Sequence, residues 1–159
     1  MSEIIYPYIP AGREFIFVAE TNEFMALAKK IRDTESTDFK NPTAAVIVQN
    51  GKVIGQSANH SKLKNKKLID LHSKYCIRRI LQVPSGKGYF LCPGCATYKQ
   101  HGESSAIRDA LKKNHDTVGA DLYLYGHWWC CQPCWNAMIK AGIKNVYLVE
   151  NAYALFARK

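Results

Sequence analysis

Apolar positions set out the expected elements. Phe24, Leu27, Ala28 and Ile31 recur three and four residues apart, the spacing of one helix face. Thr21 precedes them as a candidate cap, and Glu23 falls in the first turn, where negative charge suits the helix dipole. Residues 33–41 are polar and loop-like, and 43–49 read as a buried strand. Asn50-Gly51 is a strong hairpin turn, returning through a second strand at 52–57. A helix is expected over about 67–82, after which Pro84, Gly86 and Gly88 break the pattern. Further on, a helix opened by His101 carries Ile107, Ala110 and Leu111 on one side, and 120–125 alternates Leu and Tyr as a strand. A helix opened by Cys131 places Met138 and Ala141 on the face of Cys134, and Asn145–Val149 makes the next strand. Residues 1–20 read as irregular, with Pro7, Pro10 and an apolar patch at Phe15–Val18. Strands alternating with helices late in the chain predict an α/β fold, a mixed sheet with parallel neighbours and helices against its faces.

A chain of 159 residues suits one domain with its own core, spanning 1–159. No run approaches the roughly 18 apolar residues of a membrane span. No basic segment leads into an apolar one at the start, so the expected compartment is the cytoplasm. Five of the six cysteines sit in tight groups, Cys92/Cys95 and Cys130/Cys131/Cys134, which reads as metal ligation rather than a disulfide framework. The net charge of +9 points to an anionic partner. Much of it lies between Lys62 and Arg79, where Lys62, Lys64, Lys66, Lys67, Lys74, Arg78 and Arg79 face the single acid Asp70. That run is either a solvated face or an attractor for phosphate, on a nucleotide or on a nucleic-acid backbone. Arg78, Arg79 and Lys87 are the candidates to hold a 5′-phosphate.

Two short motifs carry the candidate chemistry. His101-Gly102-Glu103 heads one helix and Cys131-Gln132-Pro133-Cys134 heads another. Cys131 and Cys134, at i and i+3, can converge on one ion, and the open N–H groups of a helix start favour the thiolate form. With His101 they supply three ligands to zinc and leave a fourth position for water, whose pKa the metal lowers. Glu103 is then free to move that water's protons. Cys130 is a competing ligand. A second set lies in the long stretch 60–100: Cys92-Pro93-Gly94-Cys95, resembling a zinc knuckle, with His72 and Cys76 four apart on one face of the expected helix. Together these four offer a closed site, one histidine and three cysteines, for a second, structural zinc. The alternative is that Cys92, Cys95, Cys131 and Cys134 make one zinc ribbon and the protein is a non-catalytic binding module.

The H-x-E and C-x-x-C pair resembles the zinc signature of the cytidine deaminase-like superfamily. The resemblance spans most of 22–149 and includes the hairpin at Asn50-Gly51. The segment WNAMIKAGIKNVYLV after Cys134 is similar to the helix-turn-strand of deoxycytidylate and tRNA adenosine deaminases, which makes Cys131 and Cys134 the ligand pair. Cys130 stands where the family usually has Pro, and Gly102 where it usually has Ala or Val. The resemblance implies a three-layer deaminase fold with 60–100 as an insertion, and an extra structural zinc of the kind some deoxycytidylate deaminases have. It also implies base or sugar contact by Asn59, a base pocket lined by Ala45, and a pocket wall at Trp128. The backbone carbonyl of Trp129 would accept a hydrogen bond from the departing amine. It implies a homo-oligomer and hydrolytic deamination of a free cytosine nucleotide or nucleoside, first of all dCMP to dUMP and ammonia. One departure bears on this substrate: Asn59-His60 replaces the usual Asn-Gly after the second strand. The alternative substrate is a base in RNA or DNA, which would have to leave its stack.

Overall fold

The computed structural model describes residues 7–84 and 87–157. The expectations for residues 1–6 and for the break at Gly86 lie outside them. Strand β1 (Phe15–Val18) leads to helix α1 (Glu23–Glu35), then strands β2 (Ala44–Gln49) and β3 (Lys52–Ala58). Helices α2 (Lys66–Lys74) and α3 (Ile77–Ile80) follow, and two single 3-10 turns at Tyr89–Leu91 and Tyr98–Gln100. The chain ends with α4 (Gly102–Lys112), β4 (Asp121–Tyr125), α5 (Gln132–Lys140), β5 (Asn145–Val149) and α6 (Ala152–Phe156).

The five strands form one mixed sheet in the order β1-β5-β4-β2-β3. β2 runs antiparallel to both β3 and β4, while β4–β5 and β5–β1 are parallel. The first five residues of β2 are all buried, so both faces of the sheet are covered there. Helix α4 packs on β2 and β3, and α1 on β2, β3 and β4. The core is continuous from Met25 and Ala28 of α1 through Val46, Ile47, Leu122, Leu124, Val146 and Leu148 of the sheet to Trp135 and Met138 of α5. Asn50 and Gly51 both have positive φ, 51° and 72°, the conformation a two-residue turn between twisted strands needs. A bulge at Ile47/Val48 shifts the hairpin register, so Ile47 pairs with Gly55.

Three expectations are corrected. The cap of α1 is Asn22, whose side chain accepts from the N–H of Phe24 and Met25, rather than Thr21. Phe15–Val18 is a strand, held in parallel register on β5 and steadied by Arg13, whose guanidinium donates to the carbonyls of Ile143 and Lys144 at 2.9 and 2.8 Å. The helix expected at 67–82 is two helices, with extended backbone at Cys76 between them. Neither buries a residue, so no apolar face forces them into one line. Helix α6 was not anticipated; it starts at Asn151 in the left-handed conformation, φ 59°.

Candidate metal centre and active-site cleft

Helix starts position the first ligand set. His101 is the N-cap of α4 and Cys131 the N-cap of α5, with Cys134 in the first turn of α5 after Pro133. Neither cap residue spends its side chain on a cap hydrogen bond to its helix, which leaves ring and thiol aimed at each other. The His101 Nδ1 lies 3.6 Å from Cys131 Sγ and 3.4 Å from Cys134 Sγ, and the three ligand atoms are all within 4.8 Å of one another. Zinc bonds of about 2.3 Å to sulfur and 2.0 Å to nitrogen, spread tetrahedrally, give edges of about 3.5 Å, so the residues fit the ion. Ser104 Oγ stands 3.8 Å from Cys134 Sγ as a further polar neighbour.

Electrostatics agree with a thiolate site. The Cys134 thiol, hydrogen-bonded to Cys131, holds Cys131 down to about 5 against the opposing effect of burial; His101 adds to the lowering. Glu103, in the first turn of α4, is 5% exposed. Burial raises its carboxyl and the charge of Cys131 adds to this, while His101 and the Cys130 thiol pull the other way. A carboxyl raised above its ordinary value holds a proton more readily, which suits a group that must both take and return protons. Cys130 does not join the ligand group; it is fully buried, beside Glu103, and burial pushes its thiol well up.

His101 and Glu103 face a cleft of about 410 Å³, which Trp128 and Trp129 also line. His127 fixes the tryptophans, its Nδ1 accepting from the N–H of Trp128 at 3.0 Å and of Trp129 at 3.2 Å. Asn59 is on the cleft too, but its amide also braces the frame. Its Oδ1 accepts from Ser36 Oγ at 2.6 Å and Thr43 N–H at 2.9 Å, and its Nδ2 donates to the Asn41 carbonyl at 2.7 Å. Ala45 is fully buried in β2, and its backbone nitrogen would lie 3.2 Å from a Cβ built on Gly102. Of this part of β2 and its approach, Thr43 rather than Ala45 borders the cleft.

Arg78 and Arg79 reach the cleft wall with guanidinium groups already engaged. Arg78 donates to the carbonyls of Lys87 and Pro84 at 2.9 and 3.0 Å, and Arg79 to those of His72 and Ser73. Lys87 itself is off the cleft lining. Phe39, Tyr89 and Phe156 line the cleft and were not singled out from the sequence. Each comes from a segment without a motif; only the polar stretch before β2 hinted at a loop there.

The second set also comes together: His72, Cys76, Cys92 and Cys95 have their ligand atoms within 4.8 Å of one another. Cys92 and Cys95 therefore side with His72 and Cys76, not with Cys131 and Cys134, and the single-ribbon alternative falls.

A trio of one histidine and two cysteines that could hold a metal ion, with a buried carboxylate on the same cleft, on two helix starts against a mixed sheet, has the donor types of the zinc-deaminase signature. The family model "Cytidine and deoxycytidylate deaminase zinc-binding region" matches residues 18–150, and the chain belongs to that family. No curated protein matches it. Among solved structures it is similar to dCMP deaminase from the cyanophage S-TIM5, at 18% identity over 83% of this chain and 85% of that one, TM-score 0.49. It is similar to a structure from work on A-to-I editing by tRNA deaminases at the wobble position of transfer RNA, at 23% identity over 83% and 79%, TM-score 0.48. It also resembles a Thermotoga maritima diaminohydroxyphosphoribosylaminopyrimidine deaminase/5-amino-6-(5-phosphoribosylamino)uracil reductase, at 21% identity and TM-score 0.48, covering 80% of this chain. The chain spans only 29% of that protein's length.

Proposed function

We propose that this protein, as one domain over 1–159 with 60–100 inserted, hydrolytically deaminates a free cytosine nucleotide or nucleoside, with dCMP as substrate and dUMP and ammonia as products. The observation that carries the reading is Glu103, buried beside the His101, Cys131 and Cys134 trio on a cleft of nucleotide size. His101, Cys131 and Cys134 would hold zinc, which when bound would supply an acidified water. Glu103 would take a proton from the attacking water and return protons to the ring nitrogen and the leaving amine. One water enters, the exocyclic C–N bond breaks, a C=O replaces it and ammonia leaves. Trp128 and Trp129 offer flat walls to the base, and the Trp129 carbonyl an acceptor for the amine. The second N–H of the Asn59 amide is the group proposed to meet base or sugar. Arg78, Arg79 and Lys87 put positive charge beside the cleft and draw in a 5′-phosphate at range.

One observation favours a second reading. Phe39, 61% exposed, stands on the cleft with Lys40 beside it, an arrangement suited to stacking a neighbouring base of RNA or DNA. The test is ammonia release from dCMP by zinc-loaded wild type and by Glu103→Ala. Turnover in the wild type, falling about 10²- to 10⁴-fold in the variant at unchanged zinc content, is expected. Turnover on RNA or DNA alone transfers the reading to the polynucleotide. Silence on dCMP, deoxycytidine, cytidine and polynucleotides ends it.

A further inference from the structure

Cys131 borders two cavities. Besides the cleft on which His101 and Glu103 open, a second hollow of about 460 Å³ lies beside it and shares Tyr89 and Cys131 with the first. Lys62 and Lys99 line this second cavity, with Tyr98 and Gln100 between them and the metal trio in sequence, and no aspartate or glutamate lines it. Two cations on one concave wall without an acid concentrate a positive field there and favour an anion. The deamination chemistry itself uses neither lysine.

Local structure fixes the backbone of both lysines. Lys62 follows the end of β3, where Ser61 Oγ donates to the Gly94 carbonyl at 3.1 Å. Lys99 is the middle residue of the 3-10 turn Tyr98–Gln100. The N–H and the hydroxyl of Thr97 close that turn by donating to Gln100 Oε1 at 3.1 and 2.7 Å. The Lys99 carbonyl accepts from Ser105 Oγ at 3.4 Å and from Arg108 Nη2. One backbone bond joins the two segments, the His60 N–H donating to the Gln100 carbonyl at 3.1 Å. The ammonium groups are not spent: among the described residues no ion pair or hydrogen bond engages either of them. The arginines of the first cleft differ. Arg78 commits Nε and Nη2 to the carbonyls of Lys87 and Pro84 and Nη1 to Cys95 Sγ, and Arg79 commits Nη2 to those of His72 and Ser73. A phosphate on the arginines would have to displace these acceptors, whereas one between the lysines replaces only water.

We infer that Lys62 and Lys99 hold the 5′-phosphate of a free nucleotide whose base lies in the first cleft. The spacing agrees. Lys99 is two residues before His101, so the two Cα atoms lie within about 7 Å of each other. The sugar of a nucleotide separates base from phosphate by a comparable length, and the lysine side chain can close what remains. Ammonium groups suit a terminal phosphate, a compact dianion met by point charges from two sides. The inference rests on the nucleotide reading of the cleft and sharpens it: the phosphate carries the selection, and the bare nucleoside is the poorer substrate.

The test compares dCMP with deoxycytidine on the zinc-loaded full chain, as wild type and as Lys62→Gln/Lys99→Gln. With two charge-assisted contacts to the phosphate, kcat/KM should favour dCMP by about 100-fold or more in the wild type. The preference should fall below about tenfold in the variant. A merely structural role of the lysines would lower both substrates together and leave the ratio intact, which overturns the inference. Equal turnover of dCMP and deoxycytidine by the wild type overturns it too, while the deaminase reading stands. Calorimetry with dUMP and deoxyuridine reads the same contact without turnover. dUMP should bind the wild type about tenfold or more tighter than deoxyuridine and lose that advantage in the variant. If the wild type is silent on both substrates, the reading of the reaction falls, and lysine-dependent binding of dUMP still upholds the phosphate site. An oligonucleotide preferred over dCMP through the same lysines assigns them to a backbone phosphate and overturns the free-nucleotide form.

Discussion

Gly55 lies where β3 meets α4. A methyl group built there would stand 2.6 Å from the Ala106 carbonyl oxygen and 2.7 Å from Ala110 Cβ. Backbone cannot yield as a side-chain tip does, so Gly55→Ala should push α4 outward and cost about 1–3 kcal/mol in a thermal melt. Since α4 opens at His101, the same variant should bind zinc more weakly in a chelator competition; unchanged values in both would refute the contact. The meeting of His101 with Cys131 and Cys134 was legible in the sequence because each motif is local, with its members at most three positions apart. The bracing of Asn59 was not. Its partners Ser36, Asn41 and Thr43 lie 23, 18 and 16 residues away, and no spacing rule joins them. The pairing of Cys92 with His72 rather than with Cys131 was likewise open until the turn and α2 were placed.

At the scale of elements, α4 is fastened to β3 by one carboxylate. Asp109 Oδ2 accepts from the Gln56 N–H at 2.9 Å and from Lys113 Nζ at 2.6 Å. Burial alone would raise this carboxyl, but the Lys113 and Gln56 bonds outweigh it and hold it below its usual value. A lowered folded-state pKa means the unfolded chain binds the proton more readily. The stabilisation is therefore complete above the ordinary carboxylate range and disappears as pH falls through the lower, folded value. Asp109→Asn should cost about 1 kcal/mol at pH 7 and clearly less near pH 3. Denaturant melts at both pH values check this, and a pH-independent difference would sink it. The hairpin, α4, α5 and β5 were legible because a strong turn signal or a periodic or continuous apolar run sits inside each. β1 is only four residues long and owes its strand to β5, more than a hundred residues on. The periodicity of 67–82 promised one helix, but a helix with no core to face yields to the thiol cluster that its middle must reach.

For the whole molecule, charge separates the two substrate readings. The chain carries +9, and a mononucleotide meets only the few cations near the cleft. Its kcat/KM should fall less than about tenfold between 50 and 200 mM salt, whereas contacts to six or more phosphates would cost about 10³ or more over that range. A steep salt dependence with dCMP itself would contradict the proposed mononucleotide mode. No described helix is long and apolar enough to cross a membrane.

The pairing of β1 with β5 has a consequence for synthesis. On the ribosome the β2–β3 hairpin can close within microseconds of emerging, since two residues join its strands. β1 leaves the exit tunnel earlier still, yet its register partners are Val146 to Val149. Through most of translation this segment has no partner to make it a strand, and it waits for residues 146–149 to appear. A nascent chain arrested before 145 should therefore expose Phe15–Val18 as a sticky apolar edge, a natural handle for a chaperone.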